Sequence, residues 1–600
     1  MSGNVIELNG KDFEKKIEKG NWIVDFWAEW CVSPNTNIYL SPLNSKPAQK
    51  LKVGDNLISY KDKLEEDSVI RSLITNKGGH CKRITTKSGR VIETTDDHAF
   101  FTERGWIPAQ DLTEEDKVAI MPVRDNILFV GSSDNLVSEK NFESFGSDYK
   151  NIQKYLFELK EKSLLPLKKE NENILIIARL IGALFSDGNL YKNKENNLRE
   201  ISFTLGQNKD VEDVIKDLSA LGFEKVHVSE RTSENDINGR IFTTHTFRVK
   251  CLSTSLYLLL SLLGVPEGNK TNNKYNVPDW IKNGELAIQQ EFLSGYLGGD
   301  GPRISVKVLP RKGRNPYNSV NINDIEFRKN TSLIDSGLSF AEEISGMLLN
   351  FGIKTGEIFY EANNYLRKDN TRTNIIHIPI LSNFSNAFIM SQIIGYSYCW
   401  QKQVISMYAG EFIRELLKKR ADWNELYLNS MELSKKGFDY NKISQMLKIN
   451  QITAYNWIVK NVKPSIARHN MKFDSWLNNS KNGLSEAFLW SRIERIEEAN
   501  LPEVQVITTE KNHNFIANGF LVHNCGPCKM MKPVINECAE EYKGKINFGK
   551  VDVDSESELG EEHEIRSIPT LVFFKNGKQV DRISGYISKE ELSEQIESVF

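Results

Sequence analysis

One sequence motif is complete only when two distant parts of the chain are joined. An apolar, strand-like run from Val24 to Trp30 stops at Cys31, and its natural continuation, the CGPC sequence of residues 525–528, begins after residue 524. Residues 1–30 are too few to bury a hydrophobic core by themselves. The first part of the chain must therefore be completed from its other end, with residues 31–524 as an inserted block.

Length and composition limit the class of protein. The chain has 600 residues, which corresponds to several domains of about 150 residues each. Hydrophobic residues make up 40% and charged residues 26%, as in ordinary globular proteins. The N-terminus lacks a signal peptide, and the longest apolar run, around Leu256–Val265, is shorter than the roughly 20 residues that span a bilayer. We therefore expect a cytoplasmic protein without a membrane partner.

The cysteines do not form a disulfide framework. There are seven, an odd and scattered set, and only Cys525 and Cys528 are closely spaced. A metal-binding pair is the alternative interpretation of this spacing, but a structural zinc site would need two further ligands, and no second cysteine pair is present. The pair is therefore interpreted as redox-active.

The joined sequence, DFWAEW followed by CGPCK, resembles the thioredoxin active site. The resemblance implies an α/β thioredoxin fold that is split between residues 1–30 and residues 525–600. It also implies that Cys525 attacks a substrate disulfide, that Cys528 resolves the mixed disulfide, and that buried Asp25 accepts a proton. The residues expected to shape the substrate groove are Trp30, Gly526, Pro527, Ile568, Pro569 and Gly585. The implied partners are protein disulfide substrates and a thioredoxin reductase, and no cofactor is expected.

Two segments of the insert have β character. Residues 31–123 and 488–524 contain short runs rich in Val, Ile and Thr, separated by Gly-Asp, Ser-Gly and Asn-Gly turns, which predict an all-β domain. Cys31 at the start, Thr95-x-x-His98 inside and a terminal His-Asn pair before a cysteine resemble the intein family. The resemblance implies a split all-β Hint (intein splicing) domain.

The resemblance to inteins assigns chemistry to the first junction. The thiol of Cys31 attacks the carbonyl carbon of Trp30, His98 serves as the acid, and Thr95 is a hydrogen-bonding helper. Each of these residues alone would more often be structural: a lone cysteine is usually a packed small side chain. Their occurrence together at the ends of a removable block favours the functional interpretation.

The second junction carries the remaining groups. Cys525 takes over the acyl group, and Asn524 then cyclises to release the insert, with His523 and His513 polarising the bond. Val506 is a departure from the pattern, because many inteins have Asp or Cys near this position. No cofactor is expected for splicing.

The middle of the insert contains two related segments, each a helix of small residues ending in Asp-Gly. They end at Asp187 and Asp300, and they resemble the paired LAGLIDADG (DOD-type) motifs of homing endonucleases. The resemblance implies an α+β endonuclease over residues 171–424, preceded by a linker at 124–170, that acts on double-stranded DNA. The two aspartates would bind Mg²⁺, and Lys274 would support them. A decayed endonuclease that keeps only the packing helices is the alternative.

Residues 425–468 have helical periodicity interrupted by a short Asn-containing turn, which predicts a helix-turn-helix. Its second helix would contact DNA through Gln451, Thr453 and Tyr455, and a plain helical hairpin is the alternative. The sequence as a whole thus predicts a monomeric, multidomain precursor: an intein that carries an endonuclease and interrupts a thioredoxin. The alternative is a stable multidomain DNA-binding or nuclease protein that does not splice.

Overall fold

A computed structural model gives the fold. It describes residues 5–10, 12–27, 31–41, 44–61, 64–77, 79–96, 98–125, 127–148, 152–192, 198–237, 240–312, 314–367, 370–464, 471–481, 483, 487–523, 526–552, 556–565, 569–584 and 587–600. The chain forms two compact units. The first combines Met1–Met121 with Ser480–Phe600, and the second is Pro122–Asn479.

The first unit contains an α/β part built from both ends of the chain. Its sheet has the strand order Val5–Glu7, Asn547–Asp552, Asn21–Trp27, Thr570–Lys575 and Lys578–Ser584. The first three strands run parallel to one another. Thr570–Lys575 pairs antiparallel with Asn21–Trp27, and Lys578–Ser584 pairs antiparallel with Thr570–Lys575. The helices are Phe13–Ile17, Gly526–Glu541, Ser557–Glu562 and Lys589–Val599. The apolar strand before the insert is buried because strands from beyond residue 524 flank it on both sides, as the sequence predicted.

The rest of the first unit is a β-rich part. Its strands form one extended sheet system, and both sides of the insert contribute to it. The strands are Cys31–Val32, Asn37–Ser41, Asn44–Pro47, Asn56–Tyr60, Leu64–Lys77, His80–Thr86, Val91–Thr94, Ala99–Thr102, Gly105–Pro108, Lys117–Ile120, Leu489–Asn500, Glu503–Thr509, Asn514–Ala517 and Phe520–His523. Short 3-10 helices occur at Ala48–Lys50 and Ala109–Asp111. The predicted all-β character of both segments is confirmed.

The second unit is built around two long buried helices, Asn173–Phe185 and Leu286–Asp300, here called the crossing helices. Each is followed by antiparallel strands. The strands after the first are Gly188–Lys192, Arg199–Leu205, Val226–Ile237 and Arg240–Cys251. Those after the second are Ile304–Arg311, Arg314–Ile322, Ile325–Asn330, Phe359–Leu366 and Arg372–Ile378. The remaining α-helices are Ile152–Glu161, Asn208–Ala220, Thr254–Leu262, Asp279–Lys282, Ile334–Asn350, Phe384–Ile389, Trp400–Lys435, Tyr440–Met446, Gln451–Ile458 and Phe473–Lys481.

The segment 124–170 is not a linker. It contains the strand pair Asn135–Val137 and Leu167–Lys168, a 3-10 helix at Glu139–Asp148 and the helix Ile152–Glu161. Many of its apolar side chains belong to the core of the second unit: Val137, Phe142, Leu156, Leu159, Leu164, Leu165 and Leu167. The sequence prediction was wrong because the elements are short and each has a polar, exposed face. The apolar residues of the buried faces are therefore scattered among polar residues in the sequence.

The boundary predicted at residue 425 is also wrong. The helix Trp400–Lys435 runs through it without a break. The two predicted helices that follow are present at Tyr440–Met446 and Gln451–Ile458, each preceded by an N-cap residue, Asp439 or Asn450, whose side chain accepts backbone N–H groups.

Candidate functional site

The strand Cys31–Val32 lies between the strands Val91–Thr94 and Glu503–Thr509, and Val506 is directly opposite Cys31. Thr95 Oγ1 accepts a hydrogen bond from the Cys31 N–H at 3.2 Å, and the Thr95 N–H donates to the Cys31 carbonyl oxygen at 3.2 Å. The His98 N–H donates in turn to the Thr95 carbonyl oxygen at 3.2 Å. A single tight turn therefore holds the predicted helper and the predicted acid against the first residue of the insert.

His98 is almost completely buried, with 1% of its surface exposed. Burial, with a smaller contribution from the nearby His523, lowers its pKa to about 3, and the backbone of Cys31 acts in the opposite direction. The ring packs against Phe100 and Phe515, with centroids 6.0 and 6.5 Å away. His98 is therefore neutral near pH 7, so it has one N–H to donate and one nitrogen that can accept a proton.

The C-terminal end of the insert forms a hairpin of Asn514–Ala517 and Phe520–His523, here called the C-terminal hairpin. His523 is opposite Asn514 in the register, and its ring packs perpendicular to Trp106 with centroids 4.9 Å apart. His513 lies in the turn before the hairpin with φ of 47°. Phe100, two residues after His98, is paired with Val522, the residue before His523. The two predicted histidines at the opposite junctions are therefore brought close together.

Several predicted junction residues lie outside the described part of the chain. They are Trp30, Asn524, Cys525, Ile568 and Gly585. Gly526, Pro527 and Cys528 open the helix Gly526–Glu541, of which the backbone is described at these three positions. Pro569 is buried directly before the strand Thr570–Lys575.

Asp25 lies in the centre of the α/β sheet with 6% of its surface exposed. Burial raises its pKa to about 7, and the Lys550 ammonium partly offsets this rise. Its Oδ1 has no hydrogen-bond partner among the described residues. A carboxyl group with a pKa near 7 can take up and release a proton under ordinary conditions, as expected for a proton acceptor.

The crossing helices approach each other through glycines. A Cβ added at Gly182 would overlap the carbonyl oxygen of Phe292, and one added at Gly295 would overlap the carbonyl oxygen of Arg179. This reciprocal contact places the C-terminal ends of the two helices side by side. A Cβ at Gly299 would lie 2.9 Å from Asp187 Oδ2, so Asp187 lies against the end of the other crossing helix.

The two predicted aspartates share one electrostatic environment. Burial and the neighbouring Asp187 raise the pKa of Asp300 to about 7, whereas Lys270 and Lys402 lower it. Lys270 Nζ donates to the carbonyl oxygens of Leu184, Ser186 and Gly188, and Lys402 Nζ donates to those of Leu297, Gly298 and Gly299. Each lysine thus binds the C-terminal end of one crossing helix beside the carboxylates.

The sequence assigned the supporting basic role to Lys274, which the structure places in an exposed loop position. Lys270 and Lys402 occupy the position at the aspartates instead. Neither stands in a sequence pattern that marks it, because each reaches the site through backbone carbonyl groups of a helix distant in sequence.

The carboxylate oxygens of Asp187 and Asp300 are the kind of ligand atoms that a magnesium ion prefers. Mg²⁺ in phosphoryl-transfer sites takes one or two protein carboxylates and completes its shell with water and phosphate oxygens. Two carboxyl groups close enough to raise the pKa of one of them would be relieved by a divalent cation. Among the described residues, no cluster of three or more His, Cys, Asp or Glu side chains is arranged to hold a metal ion.

The second helix of the predicted DNA-binding pair, Gln451–Ile458, buries Ala454 and Trp457. Gln451 and Tyr455 are exposed and Thr453 is half-buried. The predicted contact residues are therefore on or near the solvent face.

In the described part of the chain, no helix has the length and apolar character needed to cross a membrane.

Comparison with known proteins supports two families. The intein splicing domain model matches residues 46–524, and the thioredoxin model matches residues 503–598. The chain belongs to the intein splicing domain family, whose splicing is autocatalytic. Its C-terminal part is a thioredoxin domain.

Three curated relatives show how these similarities are distributed. The tRNA-splicing ligase RtcB of Methanocaldococcus jannaschii is 29% identical over 484 residues, 77% of this chain and 47% of that protein. The RNA polymerase subunit Rpo1N of the same organism is 31% identical over 74% of this chain and 30% of its own length. A thioredoxin of Staphylococcus saprophyticus is 49% identical over 73 residues, 12% of this chain and 70% of the relative. The chain thus spans half or less of the two longer relatives.

Proposed function

We propose that residues 31–524 excise themselves and join Trp30 to Cys525, which yields a protein dithiol-disulfide oxidoreductase of the thioredoxin type. The observation that carries the proposal is the shared sheet of the α/β part, in which Asn21–Trp27 lies between strands from beyond residue 524. The relatives support an insert that occurs in unrelated host proteins. A ligase and a polymerase subunit each match about three quarters of this chain, but the match covers less than half of their own length.

The first step is an acyl shift at Cys31. Its sulfur attacks the carbonyl carbon of Trp30, the peptide C–N bond breaks, and the amino group of Cys31 is released. Thr95 binds the N–H of the bond that breaks, and neutral His98 can take the thiol proton and return one to the departing nitrogen.

The later steps complete the exchange. The thiol of Cys525 displaces Cys31 from the thioester, and the side-chain nitrogen of Asn524 then attacks its own main-chain carbonyl and releases the amine of Cys525. The free amine of Cys525 finally displaces its own sulfur, which leaves an ordinary peptide bond to Trp30. His523 and His513 would polarise the carbonyl of Asn524.

In the product, Cys525 would attack a protein disulfide, and Cys528 would resolve the mixed disulfide. Cys525 would directly precede the helix Gly526–Glu541, whose partial positive charge at the N-terminus favours formation of its thiolate. Asp25 would accept the proton of the resolving thiol, and a thioredoxin reductase would return electrons to the pair.

The splicing proposal is tested with two variants of the full chain. Cys31→Ala should leave Trp30 attached to the insert, because the alanine cannot form the thioester. Asn524→Ala should leave the C-terminal part attached. Denaturing gels and intact mass of each precursor distinguish the outcomes, and ligated product from either variant would contradict the assigned chemistry.

We propose further that the second unit is a LAGLIDADG endonuclease that cleaves double-stranded DNA. The reciprocal glycine contact of the crossing helices, with Asp187 and Asp300 at their ends, carries this proposal. Asp187 and Asp300 would hold Mg²⁺, which when bound would polarise the phosphate. Lys270 and Lys402 would add positive charge beside the phosphate, and Gln451, Thr453 and Tyr455 would extend the contact to DNA.

The test is cleavage of a DNA fragment containing an uninterrupted copy of the host gene. Wild-type protein with Mg²⁺ should cut it, and Asp187→Asn and Lys270→Met should abolish cutting while gel-shift binding persists. Binding without cutting by the wild type would identify a decayed endonuclease. If neither occurs, the second unit is not a DNA-acting domain.

A further inference from the structure

The turn that carries His513 is anchored by side chains on both sides of the insert. Asn512 and His513 both have left-handed backbone angles, with φ of 58° and 47°. Such conformations are uncommon for residues other than glycine, although asparagine and histidine adopt them more often than most, and surrounding contacts stabilise them. The contacts at this turn therefore determine where His513 points.

Asn514 links this turn to the strand that ends at Tyr60. Its side chain is buried, with 4% of the residue surface exposed. Oδ1 accepts the Tyr60 N–H at 2.7 Å, and Nδ2 donates to the Tyr60 carbonyl oxygen at 2.7 Å. One amide side chain thus makes both hydrogen bonds that a neighbouring β-strand would make to Tyr60.

The same amide also fixes the turn itself. Asn514 Nδ2 donates to the carbonyl oxygen of Asn512 at 2.7 Å, and the Asn512 side chain donates to Ser59 Oγ at 2.9 Å. The Ser68 hydroxyl donates to the Lys511 carbonyl oxygen at 2.5 Å. The strands that end at Tyr60 and pass through Ser68 belong to the N-terminal half of the insert, so this half holds the turn of the C-terminal half.

Asn514 connects this anchor to the second junction. In the C-terminal hairpin its backbone is opposite His523, the residue before Asn524. A displacement of Asn514 would therefore move His513 on its N-terminal side and His523 across the hairpin. The Cys31 strand has backbone contacts of its own, to the strand that contains Val506 and to Thr95, and neither contact is made by Asn514.

We infer that Asn514 is a positioning residue for the asparagine cyclisation step of splicing. It does not touch the reacting atoms. It fixes the backbone at His513 and His523, the two histidines assigned to this step, and it does so through the backbone of Tyr60. Misplacement of catalytic groups by about 1 Å can cost about a hundredfold in rate.

The experiment measures the two junctions separately in the full chain. C-terminal cleavage is followed in a Cys31→Ala background by release of residues 525–600. N-terminal cleavage is followed in an Asn524→Ala background by release of residues 1–30 with dithiothreitol. Asn514→Asp keeps the shape of the side chain but loses both donated hydrogen bonds, and Asn514→Leu loses all three.

Both Asn514 variants should slow C-terminal cleavage about ten- to a hundredfold while N-terminal thiolysis stays within about twofold of the parent. Asn56→Asp, at an exposed position on the strand that ends at Tyr60, should change neither rate. Equal losses at both junctions would show that Asn514 only supports the fold, and unchanged C-terminal cleavage would show that it is dispensable. Either result would overturn the inference.

Discussion

The neutrality of His98 leads to a sharp prediction for the first splicing step. His98 is buried beside the Cys31 backbone, and its pKa is lowered from 6.5 to about 3. A group with a pKa near 3 does not change its charge between pH 5 and pH 8. The rate of N-terminal thiolysis in Asn524→Ala should therefore show no inflection near pH 6.5, and any rise with pH should follow thiol ionisation alone.

Replacement of the ring gives the magnitude. His98→Gln keeps hydrogen-bonding groups but removes the nitrogen that can take the thiol proton, so N-terminal thiolysis should fall about 10²- to 10⁴-fold at pH 7. His227→Gln, at an exposed position in the second unit, should leave the rate unchanged. The assay is the release of residues 1–30 after addition of dithiothreitol. An inflection near pH 6.5 that disappears in His98→Gln would refute the assignment of a buried, neutral ring.

Three further predictions concern stability. The pKa of Asp25 is about 7 in the folded protein and 3.8 ordinarily, so the free energy of unfolding falls as the pH rises between these two values. Asp25→Asn should therefore raise the free energy of unfolding of the ligated product at pH 8 by up to about 4 kcal/mol, as measured by urea titration. Gly295→Ala should lower the melting temperature of the second unit because its Cβ overlaps backbone, whereas Gly346→Ala, where a Cβ meets nothing within 4 Å, should raise stability by up to about 1 kcal/mol. Arg179→Met leaves the carboxylate of Glu291 with one of its two arginine partners and should lower the free energy of unfolding by about 3–5 kcal/mol. A decrease of less than about 1 kcal/mol would show that the buried network tolerates the change.

Features encoded within a few neighbouring residues could be predicted from the sequence. The strand Asn21–Trp27 was predictable because a continuous apolar run requires burial on both faces. Thr95 and His98 were predictable as a pair because only two residues separate them and a single turn holds both on Cys31. The crossing helices were predictable because small residues allow close backbone contact.

Features that depend on long side chains or on distant backbone groups could not be predicted in this way. Lys270 and Lys402 donate to carbonyl groups that are 86 and 103 residues away in the sequence. Only the folded chain brings these partners together. Asn514 looks like any polar residue at a turn until the Tyr60 backbone is placed beside it. The neutral state of His98 likewise follows from burial, which a sequence motif does not report.

The central claim is that this chain removes its own insert, and the mass profile of the expressed wild-type protein tests it most directly. Expression of the full chain, followed by intact mass spectrometry, should yield two species: residues 31–524 alone, and residues 1–30 joined to residues 525–600. A peptide that contains Trp30 bonded to Cys525 should appear after digestion of the smaller species. A persistent full-length chain with native Cys31, Asn524 and Cys525, under reducing conditions, would contradict the account.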